Sequence, residues 1–172
     1  MAFKHALSWI NFEFLTTTGN GMPTITINSV TLNGVKYNGT LTVTNDNYNT
    51  TTMPVATAQW TTPGDDVSAI EVPETNNENI PLILDGTAKV FGDGLLILPC
   101  TRNENANFVI NYTMKVGNDA AQNFTYTYSL KDQTWDMSSK YTYRITISPQ
   151  QIVVAPTVDP WTEEEPTETT IE

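Results

Sequence analysis

From Tyr141 to Ile147 the chain alternates without a break: Tyr141, Tyr143, Ile145 and Ile147 are apolar, while Thr142, Arg144 and Thr146 between them are polar. Successive side chains of a β-strand project to opposite faces, so a period of two makes a strand with one face in a core and the other in water. Aromatic and β-branched residues suit such a pleated, half-buried surface. Trp135 stands just before Ser138-Ser139-Lys140, a turn where its ring can close the end of a core.

The rest of the chain reads as partners for that strand. A first strand spans about Phe3 to Leu15, with Ala6, Ser8, Ile10, Phe12 and Phe14 on one face and Leu7 and Trp9 on the other. Thr16 to Pro23, containing Gly19-Asn20-Gly21, is a turn. Ile25 and Ile27 share a parity, but the next apolar residues are Val30 and Leu32. That slip predicts a bulge near Asn28-Ser29, because without it the core face would flip. Asn33-Gly34 is a type I′ hairpin signal, with Val35 and Tyr37 opening a return strand that Leu41 and Val43 continue. Val55 to Trp60 and Val67 to Val72 are strand-like. Ile80 to Leu84 and Leu95 to Leu98 are continuous apolar runs, which suit strands buried on both faces, the first beginning at or after Pro81. Phe108 to Val116 and Phe124 to Leu130 form a hairpin around Gly117 to Asn123, and the strand after Trp135 extends it as a meander in one sheet. Ile152-Val153-Val154 follows Pro149. No segment has a helical period. Many short strands separated by turns predict an all-β sandwich or barrel, as a single domain over 1–161 with an acidic tail over 162–172.

Charge and composition exclude several functions. A formal net charge of -11 lacks the clustered Lys and Arg that phosphate binding needs, so no nucleic-acid partner is expected. With Cys100 as the one cysteine, neither an internal disulfide nor a Cys-based zinc site can form. No apolar run is long enough for a membrane helix. Met1 to Ala6 is no signal peptide, because Trp9-Ile10-Asn11-Phe12-Glu13 interrupts the apolar region. The protein is then cytoplasmic, or the chain lacks its native beginning. His5, the one histidine, has no nucleophile-elbow motif to serve and reads as a packed strand residue. Asn45 to Asn49 offers alternating oxygen ligands, but Thr50 and Ala56 occupy the positions where a calcium loop requires Gly and Glu. No catalytic residue, metal or cofactor is therefore expected. Trp9, Trp60, Trp135 and Trp161 could line a sugar-binding face, which makes a carbohydrate-binding module the alternative function. The Asn-x-Ser/Thr sequons at Asn38, Asn49, Asn111 and Asn123 arise by chance in so Thr/Asn-rich a chain.

Three segments in order resemble a known family. Phe3-Lys4-His5-Ala6-Leu7-Ser8-Trp9-Ile10-Asn11-Phe12 is similar to the His-Ala-Leu strand of the Bacteroidetes fimbrillin-like (Mfa-like, type V pilin) proteins. Leu96-Ile97-Leu98-Pro99 resembles their Leu-Leu-x-Pro-Gln strand. Trp135 to Ile147, followed by Val158 and Trp161, resembles their closing segment. Ser138 stands where the family usually has Gly, and Cys100 where it often has Gln. The resemblance implies an all-β, antiparallel, transthyretin-like β-sandwich of about seven or more strands and a non-catalytic structural or adhesive role as a tip, anchor or accessory pilus subunit. It also implies a place on the outer membrane surface, with a lipid anchor and an N-terminal domain outside this chain. Its implied partners are other pilin subunits, joined by strand addition, and a host glycan or protein. Ile152, Val153 and Val154 are the candidate strand-pairing residues.

Overall fold

The computed structural model describes residues 5–36, 38–46, 55–61, 69–73 and 81–161. Its strands, in chain order, are β1 (Ser8–Thr16), β2 (Thr24–Asn33), β3 (Thr40–Asp46), β4 (Val55–Thr61), β5 (Ile70–Glu71), β6 (Leu82–Ile83), β7 (Lys89–Val90), β8 (Leu95–Ile97), β9 (Cys100–Thr101), β10 (Asn107–Lys115), β11 (Gln122–Ser129), β12 (Thr134–Trp135), β13 (Ser139–Ile147) and β14 (Ile152–Pro160). No helix occurs among the described residues.

Two sheets carry the fold. One runs β14-β13-β1, with β7 and β8 along the far side of β1; the other runs β11-β10-β2, with β5 and β6 along the far side of β2. The alternation in the sequence decides which side chains meet between them. Ile10, Phe12 and Phe14 of β1, Phe108 and Ile110 of β10, and Tyr141, Tyr143, Ile145 and Ile147 of β13 are all buried. The Phe108 ring meets Phe12 at 5.2 Å and Tyr143 at 5.3 Å, both edge to face, the arrangement that aromatic quadrupoles favour.

β1 and β13 pair in parallel, with Ile10 opposite Tyr141, Phe12 opposite Tyr143 and Phe14 opposite Ile145. The all-β, antiparallel expectation holds for the other strand pairs described, and this one parallel pair at the centre of the sheet departs from it. A parallel neighbour cannot come from a tight hairpin; here most of the chain lies between the two strands. The expected meander fails as well, because β13 joins β1 and β14 instead of the outer edge of β11. β10 already has β2 on one side and β11 on the other. After β11 the chain buries Leu130 and Trp135, pairs β12 with β9, and enters the opposite sheet as β13. Burying that indole carries the chain across.

The predicted bulge is present: Ser29 lies opposite Asn111 and Ile27 opposite Tyr112, leaving Asn28 as the extra residue. Ile25, Ile27, Val30 and Leu32 are consequently all buried. The Asn33-Gly34 hairpin does not form. β3 pairs with β4 in a separate two-stranded ribbon, while β2 is flanked by β10, β5 and β6. Tyr37, Val67 and Ser68 lie outside the described residues, and of Ala69 to Val72 Ile70 and Glu71 are strand. Neither apolar run is buried on both faces. Leu82, Leu84, Leu95 and Ile97 are buried, but Ile83 and Leu96 are exposed, because these short strands cover only the rims of β2 and β1.

The centre of the core holds a titratable group. The Tyr143 hydroxyl donates to Gln133 Oε1 at 2.6 Å and accepts from Trp135 Nε1 at 3.0 Å. Burial drives its pKa far above the ordinary value, and burial also raises Tyr112 and Tyr141. An unfolded phenol ionises near pH 10 while the folded one keeps its proton, so above that pH the folded state binds more protons and stability falls as pH rises. Stability from this source is complete below about pH 10 and is lost beyond it. Tyr143→Phe is expected to flatten that decline. Urea midpoints at about pH 9 and pH 11.5 check it; a slope equal to wild type would rule out a buried neutral phenol.

Candidate functional site

A sheet can recruit a further strand only where one edge is unpaired. Among the described residues, β14 ends one sheet and β11 ends the other. What each edge presents follows from hydrogen-bond parity, since alternate residues of an edge strand bond inward and outward.

Just beyond the two ends of β14, the amide of Trp161 donates to the Ser138 carbonyl at 2.8 Å, and that of Ser148 donates to the Gln151 carbonyl at 2.9 Å. Both bonds have the register of the β13–β14 ladder, in which Ser139 faces Pro160 and Ile147 faces Ile152. Odd-numbered residues of β14 therefore bond inward, and the even ones, Ile152, Val154, Pro156, Val158 and Pro160, face outward. Proline has no N–H, so it is tolerated in a sheet where the missing donor would point to solvent. Pro156 and Pro160 obey that rule, and they leave gaps in the outer row of donors.

The predicted strand-pairing residues thus lie within the last strand of the fold, Ile152 opposite Ile147, Val153 opposite Thr146 and Val154 opposite Ile145. Ile152 and Val154 pack partly against the core, while Val153 is 47% exposed. They form the proline-free half of the edge. The two prolines, spaced four apart, were the sequence signal for an edge strand here.

The four tryptophans do not all share a face. Trp135 is core. Trp161 is covered by the His5 ring, stacked at 3.5 Å and 5°, which gives the one histidine a packing partner. Trp60 Nε1 donates to the Ala6 carbonyl. Trp9 lies 5.5 Å from Trp161, carries the Lys140 ammonium 4.5 Å above its ring, and lines an open depression of about 580 Å³ with Asn11, Asp93 and the Glu13–Arg144 ion pair. Cys100 pairs with Trp135 between β9 and β12. Asn45 and Asp46 end β3, and the remainder of the Asn-rich loop lies outside the described residues. Ser138 has φ +57, in the left-handed region that favours glycine, and its hydroxyl donates to the His5 carbonyl at 2.8 Å.

Comparison with known proteins agrees with this architecture. The fimbrillin-like family model matches residues 1–161, and the chain belongs to that family. A fimbrial protein from Bacteroides vulgatus has a similar structure, at 18% identity and a TM-score of 0.59, over 92% of this chain and 55% of that one. Candidate cell adhesion proteins from Bacteroides uniformis (17% identity, TM-score 0.44, 92% and 52% covered) and Bacteroides ovatus (15%, 0.43, 93% and 47%) also match. The chain spans about half the length of these structures. No curated protein matches it.

Proposed function

We propose that the chain is a non-catalytic structural and adhesive subunit of a cell-surface fimbria, joining other subunits by strand addition along Ile152–Val154 of β14. Residues 1–161 act as one domain, with the acidic tail 162–172 behind it, and attachment to the outer membrane through a lipid anchor belongs to parts of the protein beyond this chain. The family supports a fimbria-type subunit. The observation that carries the mode of assembly is the uninterrupted outer edge at Ile152 and Val154, set against the proline gaps at Pro156 and Pro160. Backbone hydrogen bonds would give an incoming strand its affinity, and alternate side chains its register.

Val154→Pro removes one outward donor and none of the bonds to β13. It is expected to keep the wild-type circular dichroism while losing incorporation into fimbriae on the producing cell. Normal incorporation of a folded Val154→Pro protein would sink the assignment of this edge.

A further inference from the structure

The opposite sheet ends in a different kind of edge. β11, Gln122 to Ser129, contains no proline, no glycine and no charged residue. Natural edge strands are ordinarily guarded by such devices, and an unguarded one is a template for pairing. Its parity is fixed by one bond: the Leu130 amide donates to the Ala106 carbonyl at 2.8 Å, in the register that places Asn107 opposite Ser129. Even residues of β11 therefore bond inward to β10, and Asn123, Thr125, Thr127 and Ser129 present their N–H and C=O groups outward.

We propose that β11 is a self-complementary edge through which two copies of this chain pair, antiparallel, about a two-fold axis at Tyr126. In that register Asn123 of one copy meets Ser129 of the other, and Thr125 meets Thr127. All four outward positions on each copy are then satisfied. The axis stands perpendicular to the sheet, so core faces stay on the same side and two sheets become one continuous sheet. Phe124 falls opposite Tyr128, and Tyr126 opposite its own equivalent. These are non-hydrogen-bonded pairs, where Cα atoms approach to about 4.5 Å and side chains touch most closely. Tyr126 and Tyr128 already pack partly on the core, and Phe124 is 38% exposed, so the pairing extends an existing aromatic row.

The match of the strand to itself is why the occupant is a second copy. Because the strand is uncharged, no like charges oppose each other across the ladder, in a chain whose net charge of -11 would otherwise keep copies apart. β14 cannot pair in this way, since Pro156 and Pro160 remove donors from its outer row. The inference is independent of the fimbrial reading, which concerns β14.

Sedimentation of the full chain over a range of micromolar concentrations tests it. Wild type is expected to dimerise. Thr125→Pro and Thr127→Pro each delete one outward donor per copy and should weaken the dimer by about tenfold or more. Val158→Pro, on the outer edge of β14, should leave dimerisation unchanged. Wild type that stays monomeric throughout overturns the proposal, as does a dimer indifferent to both threonine variants or one broken by Val158→Pro alone. If the threonine variants fail to fold, amide exchange on wild type decides instead. The amides of Asn123, Thr125, Thr127 and Ser129 should be protected at high concentration and exchange freely on dilution, while those of Phe124, Tyr126 and Tyr128 stay protected. Free exchange of the odd-numbered amides at every concentration overturns it.

Discussion

Trp135→Ala is expected to lower the unfolding free energy by about 3–5 kcal/mol, the range for deleting a fully buried aromatic side chain. The indole is 1% exposed and closes the end of the sandwich against Tyr141 and Tyr143. Two further losses act in the same direction. Its N–H bond to the Tyr143 hydroxyl disappears, and the Arg102 guanidinium, which lies 4.2 Å from the ring centre, loses the surface that covers it. Arg102 is itself buried, with Nη2 donating to the Leu98 carbonyl at 2.7 Å, so its charge cannot turn to water without breaking that bond. Trp135→Phe separates the terms. It keeps an aromatic face for Arg102 and loses the N–H bond, for a cost of about 1–2 kcal/mol. Urea unfolding with an unchanged m-value would measure both. A loss below about 1 kcal/mol for Trp135→Ala would mean that the indole is no keystone.

What the sequence disclosed follows the reach of the signals involved. Strand faces depend on a period of two, which is local, so β1, β10 and β13 were legible in which residues they bury. The Asn28 bulge was legible for the same reason, as a break in parity between Ile27 and Val30. Pairing is not local. Nothing in Trp9 to Thr16 announces that Lys140 to Ile147 lies beside it in parallel, because the information sits in the shape of the whole core. The hairpin of β10 and β11 was legible through its short turn, but the next step was not. Whether β13 extends that sheet or crosses to the other depends on where Trp135 is buried.

The candidate edge was half legible. Ile152 to Val154 stood out as an apolar run, yet a run alone does not reveal which amides face out. Pro156 and Pro160 carry that information, and only the ladder to β13 turns their spacing into a map of blocked and open positions. β11 offered a weaker sign still: an absence of charge and proline across eight residues. Such an absence acquires meaning only once the strand is known to be an edge. The two edges of this sandwich therefore differ in kind, one partly sealed by proline and one open along its length, although both strands follow the same alternation.

Gly34→Asn carries the other large expected effect, a loss of about 2–4 kcal/mol. Asn33-Gly34 has the sequence of a type I′ turn, and Gly34 does have φ +65. If positive φ were its whole purpose, asparagine would serve nearly as well, since it visits the left-handed region with little penalty. The structure gives Gly34 a second reason. A Cβ there would lie 2.5 Å from the Asn105 carbonyl oxygen and 2.9 Å from the Ala106 Cα, both of them backbone. Those atoms cannot swing aside as a side chain can. Ala106 is fully buried, its amide bonds back to Asn103, and its carbonyl receives the Leu130 amide that closes the β10–β11 ladder. Pushing this turn away disturbs the start of β10 and the end of β11 together. Gly117 supplies the control, with φ +49 and nothing within 4 Å of a Cβ. Gly117→Asn should cost no more than about 0.5 kcal/mol. Chemical denaturation of the two variants side by side distinguishes close approach from backbone conformation. Equal losses would show that Gly34 is a turn residue after all, and that the contact with Asn105 yields at little cost.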